Sequence, residues 1–93
     1  MITVEQCVEH VDDLVQQVMN AWGINLKAGN AKYMTEEFKE ICELASQYRN
    51  ANQIADNHRE FNVLSAEDAA RETATRDAFA KAYKKLSDKH NLD

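Results

Sequence analysis

Apolar side chains recur every three or four residues over the first 22 positions of the chain. On an α-helix this spacing keeps them on one face, while the polar positions between them face water. Thr3 and Gln6 fit a capping box, in which the threonine hydroxyl accepts a backbone N–H and the glutamine amide reaches back. Gly23 follows the stripe, so the pattern predicts a first helix after Thr3 that ends at Gly23. The apolar positions are Val4, Cys7, Val8, Val11, Leu14, Val15, Val18, Met19 and Trp22.

Two further helices are marked by their caps. Thr35 and Ser65 can each accept a backbone N–H at a helix start, and each is followed within three positions by two carboxylates, which the helix dipole favours there. Gly29-Asn30 predicts a turn within a connection over residues 24–34. The pattern therefore predicts an all-α fold: a three-helix bundle whose second and third helices form a long antiparallel hairpin, in a single domain over residues 1–93.

The stretch YRNANQIADNHREFNVLS, residues 48–65, leaves two paths open for the second helix. The apolar positions after Tyr48 lie roughly 140° around the helix from those before it, at about 100° per residue. In one arrangement the helix continues, and a hairpin joined near residue 63 places Tyr48 beside Phe79. In the other, the helix breaks near Asn50–Asn52 and residues 53–64 fold back as a separate short helix.

The continuous hairpin would be longer than the helix that covers it. The first helix spans about 28 Å and the hairpin arms about 40 Å, so the far half, residues 51–74, would keep an uncovered apolar face. We call this face the tip surface and expect it to contact either another protein or a second copy of the chain, as in a homodimer. The tip surface consists of Ile54, His58, Phe61, Val63 and Leu64.

The acidic side of the first helix is a second candidate contact, because residues 1–22 contain no Lys or Arg. Such a stripe is most often a solvated face. The functional interpretation is a docking surface for a basic partner, such as a nucleic-acid-handling protein whose groove it would block. The stripe consists of Glu5, Glu9, Asp12 and Asp13.

The third helix ends in the basic segment KAYKKLSDKH. Its lysines suit the negative end of a helix dipole. They also define an alternative function, a nucleic-acid-associated regulator that uses Lys84 and Lys85 and binds in a salt-sensitive way.

Overall charge and composition narrow the class of protein. The 93 residues carry a formal charge of −5 and contain no proline. A nucleic-acid-binding domain normally has a basic excess, so the charge argues against nucleic acid as a partner. No apolar run reaches the roughly 18 residues of a membrane span, and the N-terminus lacks the pattern of a secretory signal. With both cysteines expected to be reduced core residues, we expect a cytoplasmic protein that does not bind membranes.

Catalytic and metal chemistry find little support in the sequence. No second histidine lies three or four residues from His10 or His58, so the spacing of a helical metal pair is missing. Cys7 and Cys42 fall on core faces, and two glycines do not build a phosphate loop. We therefore expect no enzyme activity, cofactor or metal. The combined prediction is a small acidic binder or inhibitor of a larger protein, of a kind frequent among accessory proteins of phages and mobile elements.

Overall fold

The computed structural model describes residues 3–29 and 35–90, and these residues form four packed α-helices without a strand. The first helix is short, the second is of intermediate length, and the last two are long and of equal length. Their bounds are α1 Val4–Glu9, α2 Val11–Lys27, α3 Glu36–Glu60 and α4 Ala66–His90. The all-α prediction is confirmed, with four helices in place of the three expected.

The predicted caps are confirmed. Thr3 and Gln6 form the complete capping box at the start of α1. The Thr35 hydroxyl accepts the backbone N–H of Phe38 at 3.1 Å. The Ser65 hydroxyl accepts that of Asp68 at the same distance. Each cap satisfies a backbone donor that has no partner inside its own helix.

The prediction of one straight first helix is wrong, because the chain turns at His10. This residue has φ −109° and ψ 19°, outside helical values, and separates α1 from α2. The two pieces pack on different partners: α1 lies mainly against α4, and α2 mainly against α3. Cys7, in the middle of α1, is fully buried by this packing. The turn lets one apolar stripe cover both arms of the hairpin.

The predicted stop at Gly23 is also wrong. The helix continues through Gly23 to Lys27, and the left-handed residue is Gly29, with φ 74°. A glycine inside a helix costs only about 1 kcal/mol relative to alanine. The backbone hydrogen bonds of the next turn can offset this cost, among them the bond from the Ala28 N–H to the Ile24 carbonyl at 3.0 Å. Asn30 and the rest of the predicted connection, residues 30–34, lie outside the described residues.

Helices α3 and α4 form the long antiparallel hairpin. The start of α3 contacts the end of α4, and the end of α3 contacts the start of α4: Glu37 pairs with Lys89, and His58 with Asp68. Helix α3 runs unbroken to Glu60, so the alternative with a break near Asn50–Asn52 is wrong. Each arm has 25 residues, which corresponds to about 37 Å. This length sets the 43 Å long dimension of the molecule.

The core lies where α2 covers the hairpin. Phe79 of α4 is fully buried there, with Tyr48 and Ile41 of α3 around it and Leu86 packed against the same cluster. The remaining buried members are Val11, Val15, Val18, Cys42 and Ala45. This cluster buries part of the apolar stripe that the sequence pattern marked, with Leu14, Met19 and Trp22 partly buried against it. Burial of apolar surface is the main favourable term in folding.

Helix α2 does not reach the end of the hairpin. It runs antiparallel to α3, with its Trp22 ring 6.1 Å from that of Phe38 and its Asp12 bonded to Tyr48. Its first residue therefore lies near the middle of α3, and the second half of α3 extends beyond it. Within the described part of the chain, none of the helices is both long and apolar enough to cross a membrane.

Candidate functional site

The far end of the hairpin, residues 51–74, is the part that α2 leaves uncovered, and we call it the tip. Its two helices meet through small side chains. Ala51 and Ala55 are buried there, at 4% and 0% exposure. Alanines allow two helix backbones to approach closely but bury little apolar area each, so other contacts must hold the tip together.

A polar clamp provides those contacts. Arg59 donates to both carboxylate oxygens of Glu72, at 2.5 and 3.1 Å, and to Asp56 at 2.7 Å. Asn52 donates to the same Glu72 carboxylate at 3.0 Å. The Arg59 guanidinium holds the pKa of Glu72 below its ordinary value. A bidentate arginine–carboxylate pair fixes orientation as well as distance, so the clamp favours the register of α3 on α4 in which it forms.

A second polar bond closes the tip nearer the turn. The His58 Nδ1 lies 2.6 Å from an Asp68 carboxylate oxygen, which accepts its hydrogen. This bond holds the pKa of Asp68 below its ordinary range. The His58 carbonyl also accepts the backbone N–H of Val63 at 2.8 Å. His58 was predicted as a contact residue of the tip surface, but its ring is engaged in holding the turn.

The turn itself presents the apolar residues. Asn62 has the left-handed φ of 57°, a conformation that asparagine tolerates better than most residues. On either side of it, Phe61 is 73% exposed and Val63 is 62% exposed. Ile54, two turns earlier on α3, is 41% exposed, and Leu64 is half-buried. The structure therefore brings the predicted apolar residues to one end of the molecule, with Phe61 and Val63 the most open.

A polar groove runs from the start of α2 along α3 toward the tip, with a volume of about 680 Å³. Asn50, Gln53 and Asn57 line it at spacings of four residues or fewer, which places them on one side of α3. We call it the amide groove. Their three- and four-residue spacing is visible in the sequence, but the groove itself depends on how α2 packs on α3.

Tyr48 closes the inner wall of the amide groove. Its hydroxyl donates to Asp12 at 3.0 Å, which ties the first turn of α2 to α3. Burial, followed by this bond to a carboxylate, raises the pKa of Tyr48 to about 12. Asp12, predicted as part of the acidic stripe, therefore also bonds to α3, while the residue itself stays exposed.

The rest of the predicted acidic stripe is exposed. Glu5 and Glu9 lie on α1, whereas Asp13 lies on α2 beyond the turn at His10. The four carboxylates are consequently divided between two helices that pack on different partners, and do not form one straight row on a single helix.

Two of the four lysines of α4 bond to carboxylates, and a third lies near them. Lys84 bonds to Asp88 one turn later, and Lys89 bonds to Glu37 across the hairpin. Lys85 lies in a small cleft that Glu37 and Glu40 also line. These carboxylates offset the positive charge that would be needed to attract a phosphate backbone.

Metal and thiol chemistry have no visible site in the described ranges. Across residues 3–29 and 35–90, His, Cys, Asp and Glu side chains do not come together in groups of three or more that could hold a metal ion. Cys7 and Cys42 are buried free thiols, and burial raises the pKa of each. A raised pKa keeps a thiol protonated and weakly nucleophilic.

The tip is strongly acidic. Residues 51–74 contain five carboxylates and two arginines, which leaves three negative charges when His58 is neutral. Both arginines point their charge at neighbours in the tip: Arg59 at Glu72, and Arg71 at Glu67, 4.0 Å away. The exposed apolar residues are thus surrounded by net negative charge.

No family model matches the chain, and neither a curated protein nor a solved structure is significantly similar to it.

Proposed function

We propose that this protein acts by binding another protein through the tip surface, as a binder or inhibitor of a larger partner. The observation that carries the proposal is the exposure of Phe61, at 73%, beside Val63 at the end of a clamped hairpin. Removing a large apolar side chain from water contributes about 1.5–3 kcal/mol. Aromatic anchors of this kind dominate the energy of many protein interfaces.

The tip is suited to recognition because it is ordered before binding. The Arg59–Glu72 and His58–Asp68 bonds hold the turn on two long helices. A surface that is already ordered loses less conformational entropy when it binds, so more of the contact energy appears as affinity. These bonds do not involve Phe61 or Val63, whose side chains stay open.

The alternative of a nucleic-acid-associated regulator receives less support. Lys84 and Lys89 are paired with carboxylates, and Lys85 lies in a cleft that Glu37, the partner of Lys89, and Glu40 also line. A protein-binding role without catalysis accounts better for an exposed apolar turn.

Photo-crosslinking in cells tests the proposal. Phe61 is replaced by benzoylphenylalanine, which retains an aromatic ring, and the exposed Lys81 of α4 is replaced in the same way as the control. We expect discrete protein adducts from position 61 that position 81 does not give. The adducts should disappear when Val63→Ser is added. Equal labelling from both positions would show that the tip surface is not a contact site.

A further inference from the structure

The charge around the tip surface indicates the chemistry of its partner. Resting on the proposed function, we infer that the partner is a different protein, with an apolar pocket rimmed by lysine or arginine, and not a second copy of this chain. Phe61 and Val63 would fill the pocket, and the carboxylates beside them would face the basic rim.

Unpaired or weakly paired carboxylates lie next to the apolar residues of the tip. Glu60 directly precedes Phe61, is exposed, and forms no hydrogen bond or ion pair with any described residue. Glu67 is also exposed, and its arginine neighbour is 4.0 Å away, at the limit of an ion pair. These two carboxylates flank the turn from α3 and α4, where a cation on a partner can reach them.

The amide groove extends the same surface. Asn50, Gln53 and Asn57 lie on one side of α3, and Phe61, which directly follows the end of the helix, continues their spacing of three or four residues. The groove also contains Asp12 and Asp56 against a single arginine. A partner element seated on Phe61 can continue into a groove whose amides both donate and accept hydrogen bonds, in a field that favours positive charge.

The same charges disfavour a symmetric pair of tips. Two copies joined through Phe61 and Val63 would bring Glu60 and Glu67 of one tip against those of the other. Like charges facing each other across an interface are a common means of rejecting a partner. The carboxylates that would repel a second copy of the chain would attract a basic partner.

Nuclear magnetic resonance with a defined probe tests the inference. The probe is a synthetic amphipathic helical peptide of leucine and lysine, and the matched control peptide carries glutamate in place of every lysine. We expect the lysine peptide to shift the backbone amide signals of Phe61, Val63 and Asn57 in a saturable way. Signals of Lys85 and Leu86, in the cleft at the other end of the hairpin, should stay in place.

Three variants locate the binding. Phe61→Ser should abolish the shifts at the tip. Glu60→Lys should weaken binding of the lysine peptide roughly tenfold, because it replaces the negative charge beside Phe61 with a positive one. Glu43→Lys changes the net charge by the same amount, but lies about 27 Å from Phe61 along α3. This distance exceeds the roughly 8–10 Å over which salt screens exposed charges near physiological ionic strength, so Glu43→Lys should bind as the parent protein does.

Several results would overturn the inference. Equal binding of the glutamate peptide at the tip would remove the requirement for a basic rim, while leaving the tip as a protein contact. If the lysine peptide does not bind saturably, or if Phe61→Ser does not alter the shifts, the tip is not an acidic docking site. In the crosslinking experiment, an adduct of twice the 10.6 kDa mass would identify a second copy as the occupant. That adduct would support the proposed function and contradict this inference.

Discussion

Tyr48 joins the apolar core to the polar groove within a single side chain. Its ring belongs to the core cluster and is 6% exposed, while its hydroxyl donates to Asp12 at the groove wall. Ionising this phenol would place a negative charge in an apolar site and beside a carboxylate. Both effects raise its pKa, and the fold therefore depends on the neutral form.

Alkaline titration should reveal this dependence. The pKa of Tyr48 rises from 10.0 to about 12 on folding, so its contribution to stability is complete below pH 10 and is lost as the pH rises through 12. Each unit of this shift corresponds to about 1.4 kcal/mol. We expect the difference in unfolding free energy between the parent protein and Tyr48→Phe to fall by about 2 kcal/mol between pH 9 and pH 12.

Urea unfolding at several pH values measures that difference, because groups that titrate in both proteins cancel. At neutral pH, Tyr48→Phe should cost only about 0.5–1.5 kcal/mol for the lost hydrogen bond. A difference that does not change with pH would mean that Tyr48 is not the titrating group.

Phe79 and Phe61 offer a matched pair of identical side chains in opposite surroundings. Phe79 is fully buried in the core, whereas Phe61 is 73% exposed at the tip. Phe79→Ala should destabilise the protein by about 3–5 kcal/mol, the usual cost of emptying a buried aromatic site. Phe61→Ala should change stability by no more than about 0.5 kcal/mol. Comparable losses in the two variants, measured by chemical denaturation, would place Phe61 in the core.

At the scale of the helix, the two glycines differ in conformation. Gly23 lies inside α2, and a side chain added there would meet open space. Gly29 takes a φ of 74° at the end of the same helix. Gly23→Ala should therefore stabilise the protein by about 0.8–1 kcal/mol through helix propensity. Gly29→Ala should destabilise it by about 1–2 kcal/mol, because a β-carbon disfavours the left-handed conformation.

Thermal unfolding of both variants checks this pair, with opposite shifts of the melting temperature as the expected result. A loss of stability in Gly23→Ala would mean that Gly23, and not Gly29, provides the helix stop that the sequence predicted.

The helix starts were predictable because their chemistry is local. Thr3, Thr35 and Ser65 each bond to a backbone N–H three residues ahead, and such a pattern is visible in the sequence. The turn at His10 was not predictable in this way. The apolar stripe continues through it unchanged, and the turn follows from α1 packing on α4 while α2 packs on α3.

At the tip, too, the features that depend on local sequence were predictable, and those that depend on tertiary contacts were not. Ile54, Phe61 and Val63 could be identified as uncovered because helix lengths follow from residue counts, and the structure exposes all three. The bond between Arg59 and Glu72 joins residues on different helices, so it required the register of the hairpin. The bond of His58 to Asp68 across the turn required the same register, and the role of His58 as a contact residue stays a prediction.

At the scale of the whole molecule, charge is distributed unevenly along the hairpin. The tip has three more negative than positive charges, whereas the opposite end combines the α4 lysines with α3 carboxylates. The homodimer expected from the sequence stays a prediction, and this distribution argues against one formed tip to tip.

Light scattering across a concentration series tests the oligomeric state. We expect a mass near 10.6 kDa at micromolar concentrations and low salt. If copies do meet through their tips, added salt should promote the dimer by screening the carboxylates. A dimer that is stable at low salt and disrupted by Phe61→Ser would show that apolar contact outweighs the repulsion.

The separation of the tip surface from the core has a consequence for how such a chain can evolve. Phe61 and Val63 are not members of the buried cluster, and the polar bonds that hold the turn come from other side chains. Substitutions at these two positions can therefore alter the partner without lowering the fraction of folded protein. Phe61 and Val63 can therefore change in evolution when the partner protein changes. Substitutions of Tyr48, Phe79 or the Arg59–Glu72 pair are constrained by the need to fold.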